Sequence, residues 1–233
     1  CGAMHARIDT PHLNEEKVLL ETDNGNLEGT LISPSCDAPL PVVLIIAGSG
    51  PTDRNGNNPL MKNNSLKMLA EALYDNQIAS LRYDKRGVGA SMVTGLRESD
   101  LRFEHYIRDA ELWIAYLQKQ DRFSEIIVAG HSEGSLIGMI AARKMKTDRF
   151  ISIAGPGEPA SMTIRNQLEA QSPAVLALAD PILDSLEMGY QVENVIPGLH
   201  QLFRPSVQPY MISWFRYDPV VELGKLTQPV MII

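Results

Sequence analysis

Gly130-His131-Ser132-Glu133-Gly134 sets a hydroxyl between two glycines at the spacing Gly-x-Ser-x-Gly. A serine so placed suits nucleophilic chemistry: attack on a carbonyl carbon and transfer of an acyl group. In a chain with 17 glycines the match can arise by chance, so its flanks decide. Ile126 to Ala129 is a short apolar run that reads as a buried strand. Leu136, Ile137, Met139, Ile140, Ala141 and Ala142 follow as a small, apolar helix. A strand that passes directly into a helix forces a tight corner, whose central residue takes a strained backbone and projects its side chain. Gly130 and Gly134 supply the small flanks that such a corner needs. Ser132 would stand beside the first turn of the helix, where unpaired N–H groups and the helix dipole favour a developing negative charge.

The elements that must hold this corner can be read outward from it. Residues 17–21 and 25–32 look like two strands joined by Asp23-Asn24-Gly25, a strong hairpin signal. Val42 to Ala47 is a continuous apolar run, expected of a central strand in a parallel sheet. Gly48-Ser49-Gly50-Pro51 follows it, then a polar loop rich in Asn and Gly up to residue 64. Residues 65–76 predict a helix with Leu66, Leu69, Ala70 and Leu73 on one face, and residues 78–83 a strand. A glycine-rich turn over 84–91, a helix over 104–118 and a strand over 150–154 complete this part. From 158 to 227 the pattern changes to two helices, about 160–170 and 174–190, and a loop-rich stretch with Tyr210, Trp214, Phe215 and Tyr217. Residues 230–233 are strand-like again.

Apolar strands alternating with helices imply an α/β fold: a mostly parallel sheet with helices on both faces. A helical cap is inserted after the sixth strand, and the chain ends in the seventh. The expected divisions are a leader or tag remnant over 1–14, a core over 15–157 and 228–233, and the cap over 158–227. In parallel sheets chemistry gathers at the carboxyl ends of strands, which marks the loops after Ala47, Tyr83 and Ala129.

Composition narrows the function classes. With 233 residues, 44% of them hydrophobic and 21% charged, the chain suits one large globular domain. A net charge of −7 argues against nucleic acid or an anionic membrane as partner. No run of 18 apolar residues is present and no signal peptide is expected. The two cysteines, Cys1 and Cys36, form no CxxC pair and no zinc-spaced cluster, so no metal site is expected. Asp53-Arg54-Asn55-Gly56-Asn57 has its glycine at the wrong offset for a calcium loop, and Asn64 stands where the bidentate glutamate belongs. Gly48-x-Gly50 lacks the third glycine of a dinucleotide fingerprint. No cofactor is expected. Cys1 precedes Gly2-Ala3-Met4, which reads as a tag remnant. The cytoplasm is the favoured compartment, with an exported lipoprotein as the alternative if Cys1 is native.

Three segments resemble the α/β-hydrolase superfamily, and within it bacterial carboxylesterases and serine aminopeptidase-like hydrolases. Residues 130–134 resemble the nucleophile elbow, residues 45–51 the oxyanion loop after the third strand, and residues 82–91 the turn before the elbow. The stretch Gly48-Ser49-Gly50-Pro51-Thr52-Asp53-Arg54-Asn55-Gly56 is the cue for the esterase branch. The resemblance implies Ser132 as nucleophile, with backbone N–H groups of Glu133 and Ser49 as the oxyanion hole, supported by Gly48, Gly50, Gly130 and Gly134. Glu133 then needs no side-chain role.

Such enzymes order their triad Ser, Asp or Glu, then His. The catalytic acid and histidine are therefore expected beyond Ile233, on a part absent from this chain or supplied by a C-terminal fragment completing the fold. Within the chain, His200 in the cap is the nearest substitute base and Glu158 a conceivable acid, whereas Asp84 and Asp218 read as structural. His5 and His12 fall in the leader, His105 precedes a scaffold helix, and His131 sits in the elbow pointing elsewhere. The expected activity is cleavage of a small-molecule carboxylic ester through an acyl-enzyme on Ser132. The alternative is a non-catalytic binding protein on the same fold, or an inactive fragment lacking the histidine.

Overall fold

The computed structural model describes residues 13, 15–22, 25–93 and 95–233. Seven strands form one sheet: β1 (Glu15–Thr22), β2 (Gly25–Ile32), β3 (Leu40–Ile46), β4 (Ala79–Tyr83), β5 (Phe123–His131), β6 (Arg149–Ile153) and β7 (Val230–Ile232). Their spatial order is β1-β2-β4-β3-β5-β6-β7. The β1–β2 and β2–β4 pairs are antiparallel, and every pair from β4 through β3, β5 and β6 to β7 is parallel. This is the expected mostly parallel sheet. Thr22 pairs with Gly25 in the expected hairpin, while Asp23 and Asn24 of its turn, and residues 1–12 and 14 of the leader, Cys1 among them, lie outside the described residues.

Strand β3 explains why its sequence is apolar without alternation. Val42, Leu44 and Ile46 face one core, and Val43, Ile45 and Ala47 face the other. On the first face lie α2 (Phe103–Gln118) and α3 (Glu133–Met145), and on the second α1 (Ser65–Asp75). With both faces covered, polar residues have no solvent side to occupy. The same applies to α3, whose residues from Glu133 to Ala142 are all buried. Strand β5 begins at Phe123, ahead of the apolar run that marks it in sequence, and it pairs with both β3 and β6.

Between β6 and β7 the chain runs through α4 (Ala160–Gln171), α5 (Pro173–Glu187), α6 (His200–Phe203), α7 (Gln208–Trp214) and α8 (Pro219–Leu223). The expectation of a loop-rich stretch after residue 190 is corrected here to three short helices. None is longer than seven residues, too short for a helical period to show in sequence. The prolines that open α7 and α8 were the available signal. Asp218 caps α8, accepting from the N–H groups of Val220 at 2.8 Å and Val221 at 3.3 Å, so its role is structural as expected. Ile164, Leu183, Leu186, Phe203 and Met211 make a separate apolar cluster within this region. Tyr210, Trp214 and Tyr217 instead pack on Phe103 of the main core. Among the described residues no helix is long and apolar enough to cross a membrane.

Candidate active site

Ser132 joins β5 to α3 with φ +53° and ψ −123°, a backbone region that non-glycine residues rarely enter. The surroundings hold it there. Its N–H donates to the Ile153 carbonyl of β6 at 2.9 Å, and its own carbonyl accepts from Ser135 N–H at 2.9 Å. The expected glycine flanks are sterically required. A Cβ on Gly134 would lie 2.5 Å from the carbonyl oxygens of Ile46 and Ala47, and one on Gly130 would overlap the Gly134 backbone. The Ser132 side chain makes no capping bond to α3, which leaves Oγ uncommitted.

The loop after β3 comes up against this corner. A Cβ on Gly48 would sit 3.2 Å from the Ser132 Cβ and 3.1 Å from His131 Nδ1. Gly50 has φ +70° and turns the loop away again. Ser49, Gly50, Ser132, Ile164, Met211 and Trp214 contribute to one cavity of about 630 Å³. A second chamber of about 380 Å³ adjoins it, and Gly50, Arg204 and Tyr210 line both. Among the described residues, the N–H groups of Ser49 and Glu133 have no backbone or side-chain acceptor outside regular helix and strand bonding, and Glu133, as the first residue of α3, has none within the helix. Two donors and one free hydroxyl thus meet at one cavity, the arrangement an acyl-transfer site requires.

Glu133 departs from expectation. Its side chain is 3% exposed, and both oxygens are engaged. Oε1 accepts from the Tyr210 hydroxyl of α7 at 2.6 Å, and Oε2 lies 3.4 Å from Lys85 Nζ. The residue therefore has a side-chain role, because a carboxylate buried at this depth needs partners. Lys85, in the turn after β4, is 1% exposed and donates to the Gly48 carbonyl at 2.5 Å. Its ammonium also lies 5.3 Å from the Tyr106 ring centre. Burial pushes the Lys85 ammonium below its ordinary pKa, and the Glu133 carboxylate pulls it back up. Burial, then the Glu133 charge, pushes the Tyr210 phenol well above its ordinary value.

The rest of the glycine-rich turn is anchored by charge. Asp84 accepts from Ala90 N–H at 2.9 Å, the local bond expected of it, and also from Arg54 N–H and Nη2, both at 2.7 Å. Arg86 is forked onto buried Asp109 of α2 rather than onto Asp84. Burial raises the Asp109 pKa, opposed by Arg86. Farther out, Glu98 accepts from Arg204 and Ser206, joining the segment before α2 to the segment between α6 and α7. The sequence marks Tyr210 as a candidate pocket residue, and it does line the cavity. Its bond to Glu133 and the roles of Lys85, Glu98 and Arg204 were missed, since no local pattern pairs residues so far apart.

None of the described histidines lines the Ser132 cavity. His200 is exposed at the start of α6, and His105 Nδ1 accepts from Arg102 N–H at the start of α2. His131 is turned against Gly48, and burial pushes its imidazole pKa down. Glu158 accepts from Asn166 Nδ2 at 2.8 Å and is not on the cavity wall. His5 and His12 lie outside the described residues.

The sequence model of a family described as serine aminopeptidase, S33, matches residues 62–231. Esterase EstD of Thermotoga maritima is 28% identical over 234 aligned positions, covering 96% of this chain and 52% of that protein. The chain thus spans about half the length of this curated relative. Among solved structures, Est1E from Butyrivibrio proteoclasticus with ferulic acid bound superposes with a TM-score of 0.61 at 19% identity, covering 92% of this chain and 77% of that one. The Pyrococcus furiosus esterase Pf2001 gives 0.60 at 15% identity, covering 94% and 70%. At these identities the structures establish the α/β-hydrolase fold.

Proposed function

The chain belongs to the serine aminopeptidase S33 family of α/β hydrolases, and from that premise we propose that it cleaves carboxylic esters through an acyl-enzyme on Ser132. The observation that carries this reading is Ser132 itself: a non-glycine residue held at φ +53°, its hydroxyl uncapped, on a cavity wall shared with Ser49 and Glu133, whose N–H groups have no acceptor among the described residues. Ser132 Oγ bonds to the ester carbonyl carbon while its proton passes to a histidine. The resulting oxyanion accepts from the N–H groups of Glu133 and Ser49. Each such donor typically supplies about 3–4 kcal/mol of transition-state stabilisation. Collapse expels the alcohol, which takes the proton, and water then attacks the acyl-enzyme to release the acid. In this reading the acid and histidine come after Ser132 in chain order, as in other α/β hydrolases. Residues 158–227 act as the cap over the cavity.

Ester is favoured over a peptide amino terminus by the cavity's charge. Glu133 is the only carboxylate on its wall among the described residues, and Lys85 and Tyr210 already occupy it. A substrate ammonium would find no counter-charge there, whereas Ile164, Met211 and Trp214 suit an uncharged acyl group. The two adjoining chambers suit the two halves of an ester. The absence of a described histidine from the cavity wall favours a second reading, ligand binding without turnover.

The test is fluorophosphonate labelling read by intact mass, alongside hydrolysis of p-nitrophenyl esters. A single adduct that maps to Ser132, with ester turnover, is expected. No adduct and no turnover would leave the binding reading in its place.

A further inference from the structure

We infer that Lys85 is the positioning residue of the oxyanion hole: by holding the Gly48 carbonyl it turns the Ser49 N–H toward the nucleophile. The inference rests on the reading of Ser132 as that nucleophile and deepens it.

The geometry begins with the peptide unit. None of the described peptide bonds is cis. In a trans unit the C=O and the following N–H lie in one plane and point in opposite directions, so fixing one fixes the other. Gly48 C=O accepts from Lys85 Nζ at 2.5 Å. Ser49 N–H therefore points away from Lys85, and Ser49 lies on the wall of the Ser132 cavity, with no acceptor for that N–H among the described residues. Gly48 contributes one of the two torsions that turn this unit, and without a side chain it leaves that torsion permissive. A loop with such freedom needs an external hold to keep a donor aimed, and Lys85 is the hold that the structure provides.

The same ammonium reaches the other half of the hole. Its ion pair with Glu133 fixes the side chain of the residue whose own N–H is the second donor. Both donor-bearing segments, the loop after β3 and the first turn of α3, are thus tied to one atom, Lys85 Nζ. Lys85 needs no contact with substrate to act in this way. The pair's second function is to balance charge, since an ammonium this deeply buried needs its counter-charge.

The test uses Lys85→Met, together with the double variant Lys85→Met/Glu133→Gln. The double variant removes both charges and keeps the volume, so it folds even if the single variant fails for want of charge balance. Two readouts are taken. A crystal structure reports the orientation of the Gly48–Ser49 peptide whether or not the protein turns over an ester. Steady-state kinetics on a p-nitrophenyl ester report kcat and KM separately. The expected result is a turned peptide and a kcat lowered by about 100- to 1,000-fold, with KM nearly unchanged, as for loss of one oxyanion donor. A folded variant that retains the peptide orientation overturns the inference, and so does a turned peptide with unchanged kcat. A wild-type protein without esterase activity would sink the functional reading, and the peptide orientation alone would then decide this one.

Discussion

The Tyr210 hydroxyl donates to Glu133 Oε1 across 2.6 Å, linking α7 to the residue that follows the nucleophile 77 positions earlier in the chain. The bond places one region of the helical insertion in direct contact with the elbow. The shape of the cavity therefore depends on where α7 sits.

Tyr210→Phe keeps the ring against Phe103 and Tyr106 but leaves Oε1 buried without a donor. The expected loss is about 1–3 kcal/mol of stability, the cost of an unsatisfied buried acceptor. Urea unfolding followed by circular dichroism would check it. A change near zero would mean that water replaces the phenol.

Gly134→Ala places a methyl group 2.5 Å from the carbonyl oxygens of Ile46 and Ala47 at the end of β3, and backbone cannot yield as a flexible side chain does. The elbow must open or the strand must shift, at a cost of several kcal/mol. A fall in Tm of roughly 10 °C is expected for a chain of this size. A melting curve within two degrees of wild type would show that the corner has slack.

At Ser132 stability and activity should part. Holding a non-glycine residue at positive φ costs about 1–3 kcal/mol, whereas glycine in the same place loses about 0.5–1 kcal/mol more entropy on folding. Ser132→Gly should therefore be more stable than Ser132→Ala by about 1 kcal/mol. Both should lose about 10,000-fold or more of any ester turnover. Paired melts and assays of the two variants check both statements, and equal Tm values would mean that the strain is no larger than glycine's entropy penalty of about 0.5–1 kcal/mol.

The Glu98–Arg204 link should fail in acid. Hydrogen bonding from Arg204 holds the Glu98 carboxyl below its usual pKa, against a smaller opposing effect of burial. A depressed folded value means that the link stabilises above the unfolded pKa of about 4.3 and is lost as pH falls through the lower folded value. The pair is partly exposed, so its contribution is at most about 1 kcal/mol. The Tm gap between wild type and Glu98→Gln should hold steady above about pH 5.5 and close as pH drops below about 4. A gap that widens in acid would show the opposite sign.

What was legible in the sequence was local. The β5–α3 corner shows in residues 126–142 because strand, glycines and helix are contiguous, and β3 shows because a strand covered on both faces has no polar positions. The backbone roles of Gly130, Gly134 and Gly48 follow from the same short stretches. The charge pairs were not legible. Lys85 looks like any turn lysine until the sheet order puts β4 beside β3, and Glu133 looks solvated until α7 covers it. Helices α6 to α8 escaped because four to seven residues complete at most two turns.

The Lys85–Glu133 pair also bears on how the chain can vary. The partners stand 48 positions apart, in two different motifs. Losing Lys85 alone strands an anion in the interior, and losing Glu133 alone strands a cation. Neither step is neutral, so descendants of this sequence should keep both residues or replace both. An alignment of relatives should show the two columns changing together, like the two bases of a stem in a folded RNA.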